Sequence, residues 1–341
     1  MMSLNRDYFN SFCSHIYIEQ SVKSNPRTQR ILEQFPNAQQ IEISHYKDVF
    51  CRRGQNYRLQ HRGQSLILAE KKGNLVYTGA AACQSFGNAH FYYTSCMMNC
   101  VFDCEYCYLK GMYPSANLVI FVNLEDFFAE VEEKLKSHPV YLCVSYDTDL
   151  LAFERVLRYG KEWAAFADGH SGLEIEIRTK SAGDIVWDSF FACEGVVLAF
   201  TLSPQEVIDA YEHGTPPLRQ RLSCVAKAQE AGISTRLCFD PVIYCPDYKL
   251  RYGELLDQVF SIVDMERIKD VSVGSFRAPK DYLKKMRKQY PDSAVVQFPY
   301  ENAGGICQYP KELAEEMEEF LVCRLKERMR KEQIFVWNQG D

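Results

Sequence analysis

Ser95-Cys96-Met97-Met98-Asn99-Cys100-Val101-Phe102-Asp103-Cys104-Glu105-Tyr106-Cys107-Tyr108-Leu109 is the stretch around which the rest of the chain organises. Within it Cys100, Cys104 and Cys107 stand at C-x3-C-x2-C spacing, with Tyr106 before the last cysteine. Three thiolates on one short loop can hold three irons of a [4Fe–4S] cluster and leave the fourth iron without a protein ligand. An open iron is a reactive iron. The competing use of the same segment is a zinc site closed by Cys96, since structural zinc takes four ligands. Cys96, Cys100 and Cys104 recur at near-helical intervals, whereas zinc knuckles pair cysteines at C-x2-C with a distant second pair.

The loop follows directly on the apolar run His90–Thr94, the first of six such runs. The others are Val140–Ser145, Leu173–Thr179, Val196–Leu202, Ser234–Phe239 and Val271–Ser275. Helical patterns separate them at Leu124–Leu135, Ala152–Phe166, Leu218–Ala231 and Tyr252–Val263. Alternation of this kind specifies an α/β chain with a parallel sheet and crossover helices. Six units make a partial (β/α)6 TIM-like barrel, with its chemistry at the C-terminal strand ends. Residues 1–87 read as an N-terminal α/β extension, with a helix at Pro26–Phe35 and strands at Gln40–Ser44, Ser65–Ala69 and Leu75–Thr78. The barrel takes residues 88–290. Residues 291–341 form a tail with a strand at Val295–Phe298, a glycine-bearing turn and a charged helix from Lys311 to about Lys331, packed on the barrel's open side.

Composition sets bounds on function. At 341 residues, 47% hydrophobic and 25% charged, the chain has the make-up of an ordinary globular protein, which excludes collagen-like, coiled-coil and disordered classes. No fixed-period repeat is visible. A net charge of -6 gives no general attraction to nucleic acid or anionic membrane, so any such binding must be local. The N-terminal residues lack the apolar core of a signal peptide, and no segment reaches the ~20 apolar residues of a membrane span. These features point to the cytoplasm and to no membrane partner. In that compartment 14 cysteines argue for metal or catalytic use of some thiols, with the others as small core residues.

The triad, its aromatic and its place after the first core strand resemble the radical SAM superfamily. That resemblance implies an open iron that chelates S-adenosylmethionine, and reductive cleavage to a 5′-deoxyadenosyl radical. A narrower resemblance rests on Cys104-Glu105-Tyr106-Cys107-Tyr108-Leu109 followed by Val122-Asn123-Leu124-Glu125, on the pattern S-x-x-x-V-I-x-x-x-E-x-G-T-x-P-L-x-x-R beginning at Ser203, and on Pro241-Val242-Ile243-Tyr244. These are similar to the spore photoproduct lyase family over most of the chain.

The family resemblance implies a radical SAM carbon–carbon lyase that repairs 5-thyminyl-5,6-dihydrothymine in DNA, by hydrogen abstraction at C6 and return of a hydrogen from a cysteine. It implies Cys143, in Cys143-Val144-Ser145-Tyr146-Asp147, as the hydrogen donor, and Tyr106 and Tyr108 as relay tyrosines, with Tyr106 also near the adenine. Ser145, Lys180 and Thr201 fall where the family contacts S-adenosylmethionine. For cluster reduction it implies an electron donor such as flavodoxin or ferredoxin. The plain alternatives are a buried structural thiol at Cys143, packing aromatics at Tyr106 and Tyr108, and solvated strand ends at the other three positions.

Two features depart from the family pattern. An aromatic- and arginine-rich hairpin is expected near the C-terminus, but Phe298–Tyr309 is short and holds no arginine. Between Phe276 and Tyr290, Arg277, Lys280, Lys284, Lys285, Arg287 and Lys288 face one acid, Asp281. Such a cluster can neutralise phosphates, with Arg52, Arg53 and Arg58 adding to it if folding joins the segments. The acidic charge and short hairpin leave open a radical SAM paralogue acting on a different, non-DNA substrate.

Overall fold

The computed structural model describes residues 13–79 and 83–337. Six apolar runs pair side by side in chain order. They are β1 (Phe91–Thr94), β2 (Val140–Cys143), β3 (Leu173–Thr179), β4 (Val196–Thr201), β5 (Thr235–Val242) and β6 (Ile268–Ser275), all parallel. Val76–Thr78 adds an antiparallel strand outside β1, and Ile334–Val336 adds a parallel one outside β6. The result is an eight-stranded sheet whose two edge strands are not paired with each other among the described residues.

Helices α1 (Leu124–Leu135), α2 (Tyr159–Asp168), α3 (Leu218–Glu230) and α4 (Tyr248–Ile262) lie in the connections between the parallel strands. Their apolar faces explain why they form. In α1, Leu124, Phe127 and Val131 recur at helical spacing and are buried, while Glu125 and Asp126 in the first turn complement the helix dipole. The β3–β4 connection holds short 3-10 turns, Asp184–Trp187 and Ser189–Phe191, in place of a long helix.

Two sequence expectations fail for identifiable reasons. The single helix expected over Ala152–Phe166 is broken: a short helix Glu154–Leu157 ends at Arg158, whose φ is 60°, and α2 starts afresh at Tyr159. The buried Glu154 carboxylate accepts the N–H groups of Gly160 and Lys161 at 2.7 and 2.8 Å, capping α2 from outside. A Cβ on Gly160 would lie 2.8 Å from that carboxylate, so the cap needs glycine there. The strand expected at Val295–Phe298 is instead a helical turn, Ala294–Gln297, capped by the Ser293 hydroxyl. A four-residue apolar run has no period of its own, and the cap decides.

The N-terminal strands His15–Glu19, Gln39–Ile43 and Leu66–Ala69 belong to a five-stranded sheet that also takes in Leu118–Phe121 and Met97–Met98. The cysteine loop thus begins in one sheet and follows a strand of the other. In the tail, α6 (Lys311–Leu325) buries Met317, Leu321 and Leu325, and a hairpin of Glu301–Ala303 and Ile306–Gln308 pairs with Arg277–Pro279. Among the described residues no helix is long and apolar enough to cross a membrane.

Candidate active site

The cysteine loop is tied down on three sides. Asn99 turns the chain at φ 68°, a conformation asparagine tolerates, and its buried amide donates to the carbonyls of Ser115 and Asn117 at 2.7 Å each. Asp103–Cys104 pairs antiparallel with Glu212–His213. The Lys110 ammonium, almost fully buried, is ion-paired with Asp103 and donates to the Tyr290 hydroxyl at 2.8 Å. The next helical turn, Leu109–Met112, meets α5 (Lys280–Gln289) so closely that a Cβ on Gly111 would lie 2.4 Å from Tyr282.

The loop forms one wall of a cavity of about 510 Å³, into which Cys100, Cys104 and Cys107 all face. Burial pushes the three thiols up, Cys104 to about 12, and the nearby Cys107 adds to the shifts of Cys100 and Cys104. Such thiols keep their protons until a metal displaces them. Among the described residues no three His, Cys, Asp or Glu side chains converge on a single ion. In a [4Fe–4S] cluster each thiolate holds a different iron, so three thiols on one wall of a cavity suit it as a donor set. Cys96 is fully buried with its thiol directed to the Val144 carbonyl, 3.9 Å away, and it is not part of the cavity wall. The zinc alternative needs this thiol turned toward the other three, and it is turned instead toward the strand end at Val144.

The remaining expected residues, Tyr106, Tyr108, Cys143, Ser145, Lys180 and Thr201, all line the same cavity. Tyr106 is held from behind. Its hydroxyl donates to the buried Glu212 carboxylate, which also accepts from Ser203 at 2.9 Å and is ion-paired with the fully buried Arg221. Arg221 donates further to Thr215, to the Pro216 carbonyl and to the Thr201 carbonyl, at 2.7, 2.9 and 3.2 Å. Burial works against the Glu212 charge, but Arg221 and Lys180 hold its carboxyl below the usual range. The pattern from Ser203 to Arg221 thus encodes the mount for Tyr106.

Lys180 stands at the end of β3, its ammonium 5.6 Å from the centre of the Tyr106 ring. Its backbone N–H donates to buried Asp149 at 2.6 Å, and Asp149 also accepts from Thr179 at 2.8 Å and Ser181 at 3.0 Å. Among the described residues the ammonium has no hydrogen-bond or ion-pair partner, which leaves it able to meet a carboxylate. Ser145 accepts from the Arg178 N–H at 2.7 Å, and its own hydroxyl hydrogen remains available.

Cys143, buried at the end of β2, directs its thiol at Glu176, Sγ to Oε1 3.9 Å. Sequence reading missed Glu176. Its carboxylate accepts from Tyr141 at 2.6 Å and from Arg178 Nε at 3.1 Å, and is ion-paired with fully buried Arg236, which forks onto Asp270. Burial disfavours the charge, yet Arg178 and Arg236 hold this carboxyl down at about 2. Burial first, and then the Glu176 charge, push the Cys143 thiol up. A second missed residue is Tyr146, whose ring stacks on Tyr93 at 4.0 Å and whose carbonyl accepts from the Tyr108 hydroxyl at 2.6 Å. The only sequence signal for either was a polar residue inside or just past an apolar strand.

The spore photoproduct lyase family model matches residues 12–329. The spore photoproduct lyase of Clostridium acetobutylicum is 22% identical over 325 residues, covering 90% of this chain and 93% of that protein. A spore photoproduct lyase double mutant solved with bound AdoMet and dinucleoside spore photoproduct superposes with a TM-score of 0.81 at 17% identity, covering 96% of this chain and 98% of that one. A spore photoproduct lyase complexed with dinucleoside spore photoproduct gives 0.79 at 16% identity, with the same coverage. With the family model spanning nearly the whole chain, this protein belongs to the spore photoproduct lyase family.

Proposed function

We propose that this chain is a radical SAM lyase that repairs 5-thyminyl-5,6-dihydrothymine in DNA, acting in the cytoplasm with an electron donor of the flavodoxin or ferredoxin type. The observation that carries the reading is a single cavity whose wall gathers the loop thiols Cys100, Cys104 and Cys107 with Cys143, Tyr106, Tyr108 and the Lys180 ammonium, in a member of this family. Relatives of the same fold were solved with AdoMet or dinucleoside spore photoproduct bound. We read the six parallel strands as a partial barrel spanning residues 88–290, flanked by the 1–87 extension and the 291–341 tail, with the cavity at its C-terminal strand ends.

Cys100, Cys104 and Cys107 would hold a [4Fe–4S] cluster, and Lys180, Ser145, Thr201 and the Tyr106 ring would receive S-adenosylmethionine. When bound, these two groups supply a carbon radical able to abstract hydrogen from the lesion. Cys143 then returns a hydrogen atom: its S–H bond breaks, a C–H bond forms on the product thymine, and a thiyl remains. Only a thiol can do this, because a thiolate has no hydrogen to give. Glu176, kept anionic by two arginines, therefore serves the donor by keeping Cys143 protonated. Tyr108 and Tyr106 can restore the S–H bond by giving up an O–H hydrogen. In that transfer the whole O–H hydrogen goes to sulfur and a tyrosyl remains, so the Tyr106–Glu212 and Tyr108–Tyr146 hydrogen bonds serve to position the two hydroxyls.

The test is anaerobic: reconstituted, reduced protein is incubated with S-adenosylmethionine and lesion-containing dinucleotide. The expected result is 5′-deoxyadenosine together with repaired thymines. Cleavage of S-adenosylmethionine without repair would overturn the lyase reading. That outcome would favour the second reading, a paralogue with a non-DNA substrate, for which the observation is a C-terminal hairpin without a cation.

A further inference from the structure

The cations between Phe276 and Tyr290 are not an isolated helix face. In α5, Leu283 and Met286 are buried, while Lys280, Lys284 and Lys288 are exposed and recur every fourth residue. At 1.5 Å rise per residue they stand about 6 Å apart along one side of the helix. Folding brings the Tyr57–His61 helix against the end of α5. The Arg58 guanidinium lies 5.2 Å from the centre of the Tyr290 ring, and the Lys110 ammonium sits between Tyr57 and Tyr290 at 5.3 and 4.8 Å. Arg58 is thereby brought to the end of α5, and Arg52, Arg53 and Arg62 are exposed close to it along the chain.

Three observations separate this face from an ordinary solvated one. First, residues 52–62 carry 4 cations and no acid, and residues 277–290 carry 6 cations and 1 acid, in a chain of net charge -6. Second, carboxylates neutralise some of the exposed cations elsewhere, as in Lys136–Glu133, Arg155–Asp184 and Lys249–Glu316, while others such as Arg219 and Lys326 stand singly among the described residues. None of Arg52, Arg53, Arg58, Arg62, Lys280, Lys284 and Lys288 pairs with a carboxylate among the described residues. Third, the stripe begins at the cavity, because Pro279 and Tyr282 are part of its wall. The hairpin beside it, residues 300–309, has one acid and no cation.

We propose that α5 and the Arg52–Arg62 segment form the surface that grips the phosphodiester backbone of DNA flanking the lesion. This rests on the lyase reading for its biological meaning, but not for its test. A periodic row of unpaired cations leading from the cavity suits a polyanion with regularly spaced charges, and each phosphate neutralised releases counterions. The hairpin cannot play this electrostatic part.

The test compares the wild type with Arg52→Gln/Arg53→Gln/Lys284→Gln/Lys288→Gln, all at exposed positions away from the cavity. Binding to a fluorescent duplex is followed by anisotropy across a salt series. The variant is expected to lose about tenfold or more in affinity, with the slope of log K against log salt flatter by roughly 0.9 for each contact removed. Repair of the lesion dinucleotide, which has no flanking backbone to grip, should stay at the wild-type level. The charge-conserving variant Arg52→Lys/Arg53→Lys/Lys284→Arg/Lys288→Arg should keep duplex binding at the wild-type level. Unchanged duplex affinity and slope would overturn the proposal. Intact duplex binding with slowed reduction by flavodoxin would overturn it too, and would assign the face to an acidic protein. Absence of dinucleotide repair in the wild type would instead count against the lyase reading, while the duplex measurement still decides the surface.

Discussion

The cavity wall and the face beside it use charge in opposite ways. Behind the cavity, Glu212 with Arg221 and Glu176 with Arg236 and Asp270 are buried ion pairs, each further hydrogen-bonded. On the outer face, Arg52, Arg53, Lys284 and Lys288 are exposed without acidic partners among the described residues. Buried charge is tolerated only when paired, because desolvation costs several kcal/mol per ion. Paired charges hold side chains still, and unpaired ones remain available to a ligand. The first kind holds the cavity wall in place, and the second stays exposed on the outer face.

This contrast can be broken most severely from the inside. Replacing Arg221 with Met strands the Glu212 carboxylate and should cost about 3–5 kcal/mol, read as a lower urea midpoint, with Arg221→Met/Glu212→Leu recovering most of the loss. A single variant as stable as the wild type would mean the pair holds nothing. Next in size, Cys143→Ala should leave S-adenosylmethionine cleavage intact but abolish clean thymine formation. Unchanged products would remove Cys143 from its role.

A subtler change sharpens the function of the buried charge. Glu176→Gln keeps the shape but removes the anion beside Cys143, so iodoacetamide should label Cys143 at lower pH than in the wild type, where the thiol lies well above the ordinary value of about 8.5. An unchanged labelling profile would release Glu176 from that role. The same carboxylate has an acid-side signature. Because its folded value is depressed to about 2, its stabilisation is complete above the ordinary glutamate range and is lost as pH falls toward 2. Glu176→Gln should flatten that part of the stability profile. Smallest of all, Lys284→Gln/Lys288→Gln should move stability by no more than about 0.5 kcal/mol. A large loss would mean that the outer face is structural after all.

Some of this was legible early. The six runs that became β1 to β6 all matched their expected places to within about three residues, because apolar runs of β-branched and aromatic residues bounded by turn residues have few other uses. The edge strand Ile334–Val336 was missed, since three residues after a charged helix carry no period. Leu118–Phe121 was missed although it is fully buried, because a continuous apolar run does not declare its type. The break at Arg158 depends on where Glu154 comes to lie. All nine expected site residues reached one cavity, but Glu176, Glu212, Arg221 and Tyr146 had no assigned role until their partners were in view.

What the sequence by itself determined was the thiol spacing, the parallel α/β alternation and the family, since these rest on local order along the chain. Only the tertiary structure decided which charges are paired. Arg236 meets Glu176 across 60 positions, and Arg58 meets Tyr290 across a still longer separation. Pairing across such distances is set by which strands and helices become neighbours, and that is a property of the packed sheet and not of any segment within it.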